Sequence, residues 1–172
     1  MDEQRYICWI NASRGLERIE PFMVLIAQGL GKLDSQLIEE DRIYCGLSAE
    51  SRNTEANAIK ITDSLILSYL WVLGGYELIR TISQRCRNEA PLLGEALAQR
   101  VTELKHDFER LRIPLAKMEP ASRHRETDFP IAYPEIHREM GISWRVSGDM
   151  HISRQELANR LLALFEDIHN TG

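Results

Sequence analysis

The sequence predicts a mainly α-helical fold, a four-helix bundle with a small β-hairpin before the last helix. Four long segments repeat apolar residues at spacings of three and four, the period of a helix with one buried face. This period disappears over residues 118–152, where Pro120, Pro130 and Pro134 interrupt the chain. Because 172 residues is the length of about one domain, we expect residues 1–172 to share one core, with residues 118–152 as an inserted loop and hairpin.

The composition argues against several classes of protein. Hydrophobic residues make up 44% of the chain and charged residues 27%, which is typical of globular proteins rather than disordered ones. The formal net charge of -5 provides no general attraction to nucleic acid or to anionic membranes. The most apolar segment, residues 65–76, is shorter than the roughly 20 residues that span a bilayer, so we expect no membrane association.

The cysteines and the N-terminus predict a cytoplasmic protein. Cys8, Cys45 and Cys86 lie far apart and form no Cys-x-x-Cys pair, so neither a zinc ribbon nor a disulfide framework is indicated. Reduced thiols are the expected state of such cysteines in the cytosol. The first residues are acidic and lack the apolar run of a secretory signal.

The N-terminal quarter contains two predicted elements. Residues 5–10 are rich in β-branched and aromatic types and fit a short strand, although a helical turn fits the same run. A helix is predicted from Pro21, since proline suits a first turn. Its apolar face consists of Phe22, Ile26, Leu30, Leu33 and Leu37. We expect Gly29 and Gly31 to bend or split this helix, and the acidic residues 39–41 to be exposed.

A second helix, predicted over residues 54–87, carries two adjacent apolar stripes. The first stripe consists of Ile61, Leu65, Ser68, Val72, Gly75, Ile79, Ile82 and Cys86, and the second of Ile66, Tyr69, Leu73 and Tyr76. A helix that is apolar over so much of its circumference is surrounded by protein. Because two stripes are more than one neighbouring helix covers, we expect self-association as a homodimer, or another protein partner.

Two further helices and a hairpin complete the prediction. The third helix begins near Pro91, carries leucines on one face, and is kinked or terminated at Pro114. Residues 142–146 alternate like a strand, residues 147–149 supply a turn, and residues 150–152 return as the partner strand. Ser153 and Glu156 then form a capping box for the last helix. The buried face of that helix is predicted to be Leu157, Leu161, Phe165 and Ile168.

Two Glu-x-x-His pairs, Glu103/His106 and Glu166/His169, have the spacing of metal ligands in di-iron helical bundles. In those bundles the ligands face the core. At about 100° per residue, however, His106 lies nearly opposite the apolar face of its helix, and Glu166 points away from the apolar face of the last helix. We therefore predict solvated side chains at both pairs, with no metal and no cofactor.

The densest group of polar side chains begins at the end of the third predicted helix. It includes Arg112, Lys117, Glu119, Arg123, His124 and Arg125. Guanidinium groups bind phosphate and carboxylate through two parallel hydrogen bonds, so Arg112, Arg123 and Arg125 would suit an anion pocket. Alternatively, these arginines pair with neighbouring acidic residues and cover a solvated loop. The sequence leaves both interpretations open.

Part of this region resembles the all-helical HEPN family, which includes many RNA-cleaving toxins and their non-catalytic relatives. The family motif places a histidine four to six residues after an arginine, near the end of a long helix. Here Arg112 is followed by Lys117 and Glu119, with lysine in place of the histidine, and a second match pairs Arg100 with His106. The resemblance implies an RNA-cleaving or nucleotide-binding domain. The lysine at position 117 implies a binding or structural descendant.

Two functions are therefore carried forward. The leading hypothesis is a non-enzymatic interaction or regulatory protein, because the chain contains apolar helices and no recognisable cofactor motif, metal spacing or nucleophile pattern. The alternative is an HEPN-like domain that binds an anionic ligand or RNA through Arg100/His106 or Arg112/Lys117. A buried His106 hydrogen-bonded to an arginine would favour the alternative, and a solvated His106 would favour the interaction protein.

Overall fold

The computed structural model describes residues 1–89 and 92–171. In these two ranges the chain is mainly helical and contains one small antiparallel sheet. The helices are α1 (Glu3–Ser13), α2 (Pro21–Gly46), α3 (Ala49–Arg52), α4 (Glu55–Asn88), α5 (Glu95–Lys117) and α6 (Arg154–Asn170). The strands are β1 (Tyr133–His137), β2 (Gly141–Arg145) and β3 (His151–Ser153). The described part of the chain thus has six helices, five of them long, where the sequence predicted a bundle of four.

The N-terminal segment is helical, so the predicted strand at residues 5–10 is wrong. The side chain of Asp2 caps α1 by accepting a hydrogen bond from the Arg5 amide at 3.0 Å. Trp9 is completely buried against α2. The aromatic residues Tyr6 and Trp9 are three positions apart, so they share one helical face, and this burial outweighs their preference for strands.

Helix α2 runs unbroken past Gly29 and Gly31, contrary to the expected bend or split. A Cβ atom at Gly31 would lie 2.4 Å from the Cβ of Trp9, whereas one at Gly29 would meet nothing within 4 Å. Gly31 therefore permits the close packing of α1 on α2. Gly29 lies on the exposed side of the helix.

Helices α2 and α4 form an antiparallel pair joined through α3. Hydrogen bonds fix their alignment: Trp71 Nε1 donates to the Leu30 carbonyl at 2.9 Å, and Ser64 Oγ donates to Glu40 at 2.7 Å. At the opposite end Arg85 Nη2 bonds to Glu20 at 2.8 Å.

The inner face of α4 forms the centre of the core. The first predicted stripe is buried along its middle, from Ser68 to Ile82, as expected. Gly75 lets Phe108 of α5 approach closely, since a Cβ at this position would lie 2.7 Å from the Phe108 ring. The second stripe is covered only in part, because Tyr76 is buried whereas Leu73 is half-buried and Ile66 is exposed.

Helices α5 and α6 follow the prediction closely. The predicted start of the third helix at Pro91 lies outside the described residues, and α5 begins at Glu95. Pro114 lies inside α5, which ends three residues later at Lys117 and is followed by Met118 in a left-handed conformation. Ser153 caps α6 by accepting from the Glu156 amide at 3.3 Å, which confirms the predicted helix start. The four predicted apolar positions of α6 are buried.

The sheet has the order β1-β2-β3. The predicted hairpin corresponds to β2 and β3, paired antiparallel with Trp144 opposite Ile152. Strand β1 was not predicted, and its residues were assigned to the inserted loop. It pairs antiparallel with β2, from Tyr133 opposite Arg145 to His137 opposite Gly141. A proline is tolerated because β1 lies at the edge of the sheet.

Candidate functional site

A buried group of charges lies where α1, α2 and α6 meet. Arg154, the first residue of α6, is 0% exposed and donates to Asp34 Oδ1 at 2.6 Å and to Asp41 Oδ2 at 2.9 Å. The other oxygen of Asp34 accepts from Arg5 Nε at 2.5 Å and from Trp9 Nε1 at 2.9 Å. The prediction that residues 39–41 are solvated is therefore wrong for Asp41.

The environment of Asp41 explains why this network holds the fold together. Burial raises the pKa of the Asp41 carboxyl, and the charge and hydrogen bond of Arg154 oppose that rise. Gly141 lies directly against the carboxylate: a Cβ at this position would be 2.2 Å from Asp41 Oδ2. Gly141 also has a φ of +63°, so the turn before β2 requires glycine for two reasons. The network thus joins α6 and the sheet to α2.

A cleft of about 430 Å³ opens beside this network, and its lining includes Asp41, Cys45, Arg138 and Gln155. Burial raises the pKa of the Cys45 thiol, with a further contribution from the Asp41 charge. The thiol donates a weak hydrogen bond to the His137 carbonyl, with 3.6 Å between sulfur and oxygen. A raised pKa keeps this thiol protonated, whereas a nucleophilic cysteine needs the thiolate.

The predicted anion-binding residues have several different partners. The Arg112 guanidinium lies 5.1 Å from the centre of the Tyr76 ring on α4 and 4.0 Å from Glu77. Lys117 Nζ lies 3.7 Å from Glu119. Arg125 is exposed to solvent.

Arg100 and His106, the second HEPN-like match, also have different partners. Arg100 Nη1 bonds to Asp167 of α6 at 2.6 Å. His106 is half-buried and lies 3.0 Å from Glu109, through its Nδ1 atom. His106 therefore has a carboxylate partner, and it is neither fully buried beside an arginine nor fully solvated.

Three of the predicted residues meet in one cleft between α5 and the turn that follows it. This basic cleft, of about 260 Å³, is lined by Lys105, His106, Glu109, Ile113, Ala121, Ser122, Arg123 and His124. Glu109 is its one acidic residue, and Lys105 Nζ lies 3.8 Å from that carboxylate. Sequence reasoning missed Lys105, because a lysine on a charged helix face carries no distinguishing pattern.

The turn that closes the basic cleft is held by an ion pair. Arg110 donates to both oxygens of Asp128, at 2.7 and 2.8 Å. Burial tends to raise the pKa of Asp128, but the hydrogen bond and charge of Arg110 outweigh it, with help from Thr127 and His124, so the net pKa is lowered. The Phe129 amide also donates to the Val146 carbonyl at 2.7 Å, which attaches the loop to the sheet.

A second surface feature is an apolar face formed by α2 and α4. The exposed large apolar side chains on this side of the helices are Phe22, Leu25, Ile26, Ile43, Ile59, Leu67 and Leu70, and we call them the outer face. Ile66 is also exposed, but it lines a groove on the other side of α4, toward α5 and the sheet. The antiparallel alignment of the helices brings Leu70 beside the middle of α2, one turn from Gly74, where Leu30 packs. Ile43 and Leu67 also line a groove of about 510 Å³ at one end of this face.

The length and composition of α4 would allow it to cross a membrane, and 44% of its most apolar stretch is buried inside the domain. Core helices of water-soluble proteins have the same properties, so this finding is weak. Among residues 1–89 and 92–171, no group of three or more histidine, cysteine, aspartate or glutamate side chains is arranged to hold a metal ion.

The chain matches no protein-family model, no curated protein and no solved structure.

Proposed function

We propose that this protein is a cytoplasmic interaction module without catalytic activity of its own, and that its outer face docks a second copy of the chain. The observation that carries the proposal is the exposure of seven large apolar side chains on one side of two paired helices. Phe22 is the most exposed of them, at 72%. Single apolar residues on a surface need no explanation, but a group of them on one side of two rigid helices is typical of a protein-binding surface.

The size of the outer face supports a dimer. Its seven side chains are 36–72% exposed and lie along helices of 26 and 34 residues, long enough to supply the ~800 Å² that each partner contributes to a standard stable interface. A two-fold dimer places the same patch on both sides of the interface, so this one surface supplies both halves. Two copies of α2 and α4 would then form an intermolecular four-helix arrangement.

The charges that border the outer face also favour self-association. Arg80 lies 2.7 Å from Glu77, and Arg42 lies 2.7 Å from Glu39. Because these charges are paired within each chain, two identical faces can approach without strong repulsion between like charges. An anionic membrane is a less suitable occupant, since the chain carries a net charge of -5.

Sedimentation velocity of the full chain, from low to high micromolar concentration, tests this proposal. We expect a concentration-dependent shift from monomer to dimer mass. Flotation with vesicles of neutral and anionic lipid is the companion measurement. A chain that sediments as a monomer throughout and floats with vesicles would identify the outer face as a membrane-docking surface and overturn the proposal.

A further inference from the structure

We infer that the basic cleft is a binding site for a phosphoryl group on a small molecule. The inference is independent of self-association, because the cleft lies between α5 and residues 121–124 whereas the outer face belongs to α2 and α4. Lys105 and Arg123 supply permanent positive charges, and Ser122 supplies a hydroxyl donor. His106 and His124 add ring nitrogens that can donate to phosphate oxygens. On a chain with a net charge of -5, such a concentration of donors is unusual.

The cleft is assembled before any ligand arrives. Lys105, His106, Glu109 and Ile113 project from one rigid helix. The opposing wall, residues 121–124, is held by the two hydrogen bonds between Arg110 and Asp128, whose carboxylate is almost completely buried. Lys105 and His106 are partly covered on this helix, which lowers the ordering cost of binding an anion, whereas the Ser122 and Arg123 side chains are exposed.

The position of Lys105 distinguishes this cleft from an ordinary charged surface. Its side chain is only 16% exposed, so most of its stem is covered and its ammonium group is directed along the cleft wall toward Glu109, 3.8 Å away. That separation is longer than a hydrogen bond. A phosphate oxygen could therefore take a closer contact with Lys105 than Glu109 now makes.

The size of the cleft favours a small ligand over a polymer. A volume of about 260 Å³ accommodates a phosphoryl group and a small part of the molecule that carries it. RNA would need a basic track that extends beyond the cleft. Among the neighbouring arginines, Arg110 is paired with Asp128 and Arg112 is packed on Tyr76. Arg125 is exposed, but one further charge does not make a track.

Substitutions at Lys105 and Glu109 test this inference, because they should change phosphate affinity in opposite directions. Lys105→Met keeps the apolar stem and removes the charge, so phosphate affinity should fall about tenfold, the expected loss of one charge-assisted contact. Glu109→Gln removes the competing carboxylate, so phosphate affinity should rise severalfold. If these charges only neutralise one another on the surface, neither substitution changes phosphate binding.

The experiment titrates ¹⁵N-labelled full chain with inorganic phosphate, a nucleoside 5′-monophosphate and a short single-stranded RNA. We expect the two small phosphates to shift amide resonances of residues 105–113 and 121–124, with the opposite effects of Lys105→Met and Glu109→Gln. Lys60→Met removes a lysine charge at an exposed position of α4, so it is the control and should bind phosphate like wild type. Shifts spread over the surface, binding of RNA alone, or no binding at millimolar phosphate would overturn the inference.

Discussion

The two sides of α2 depart from the usual polarity in opposite ways, since the inner side buries charged residues among its apolar ones and the outer side exposes large apolar residues. The comparison separates the residues that hold this fold together from those that are available to a partner. The side that faces α1 and α6 buries Asp34, Ser35 and Asp41. The opposite side exposes Phe22 and Leu25 to solvent. Ordinary helices in globular proteins bury apolar residues and expose charged ones.

The difference has a physical consequence on each side. A buried ion pair contributes little net stability compared with apolar packing, but loss of one partner is costly because the other charge stays buried. The inner side therefore depends on the completeness of its network, in which Arg154 alone contacts both aspartates. The outer side buries less of its apolar surface in the monomer, so polar substitutions of its exposed apolar residues should affect association more than monomer stability.

The largest expected effect is at Arg154. Arg154→Met fills similar volume but leaves Asp34 and Asp41 without their shared cation, so we expect a loss of about 3–5 kcal/mol in the free energy of unfolding. Urea denaturation followed by circular dichroism measures this change. Arg160→Met, which breaks the exposed pair with Asp107, is the control and should cost less than about 1 kcal/mol. Equal effects at both arginines would contradict a structural role for the buried network.

Alanine substitutions at Gly29 and Gly31 compare the two sides of α2 through smaller expected changes in the free energy of unfolding. Gly31→Ala places a methyl group 2.4 Å from the rigid Cβ of Trp9, so we expect a loss of about 2 kcal/mol or more as α1 is displaced. Gly29→Ala meets nothing within 4 Å and should raise stability by about 0.5–1 kcal/mol through helix propensity. Both values come from the same denaturation experiment. A destabilised Gly29→Ala monomer would show that the exposed side of α2 is constrained in the isolated chain.

The smallest expected effects concern pH, where two buried aspartates should behave oppositely. The lowered pKa of Asp128 means that it stabilises the fold above its unfolded pKa, and this contribution is lost as pH falls through the folded pKa. The raised pKa of Asp41 has the opposite effect, because the folded state binds this proton more tightly than the unfolded state and acidification relieves the cost of burying the charge.

Unfolding measured from pH 7 down to pH 4 separates these contributions. Relative to wild type, Asp128→Asn should be less stable at pH 7 and should lose less stability on acidification. Wild type gains stability when Asp41 is protonated, and Asp41→Asn cannot. The stability of Asp41→Asn relative to wild type should therefore fall as the pH is lowered. The same slope in both variants would contradict the two pKa directions.

The sequence predicted those parts of the structure that depend on local patterns. The helical period over α4 and α6, the cap at Ser153 and the β2–β3 hairpin are all local features, and all are present. The helix at residues 3–13 was missed because burial of Trp9 against Gly31 joins segments far apart in the chain. Strand β1 was missed because a proline is acceptable only once the edge position of its strand is known.

The candidate site was less predictable for the same reason. Arg123, His124 and His106 were named from the sequence, but their meeting in one cleft depends on the loop held by Arg110 and Asp128. The role of Arg154 depends on two aspartates more than 100 positions earlier, a pairing that no spacing rule reveals.

Self-association through the outer face is tested most directly by the same substitution at two equally exposed apolar residues, one on the outer face and one on α1. Leu70 is 50% exposed on the outer face, and Ile7 is 48% exposed on α1. We expect wild type and Ile7→Glu to dimerise with similar dissociation constants in sedimentation equilibrium. Leu70→Glu should weaken dimerisation about 100-fold or more, because a carboxylate would be buried in the interface. A monomeric wild type, or equal dissociation constants for Leu70→Glu and Ile7→Glu, would contradict self-association through α2 and α4.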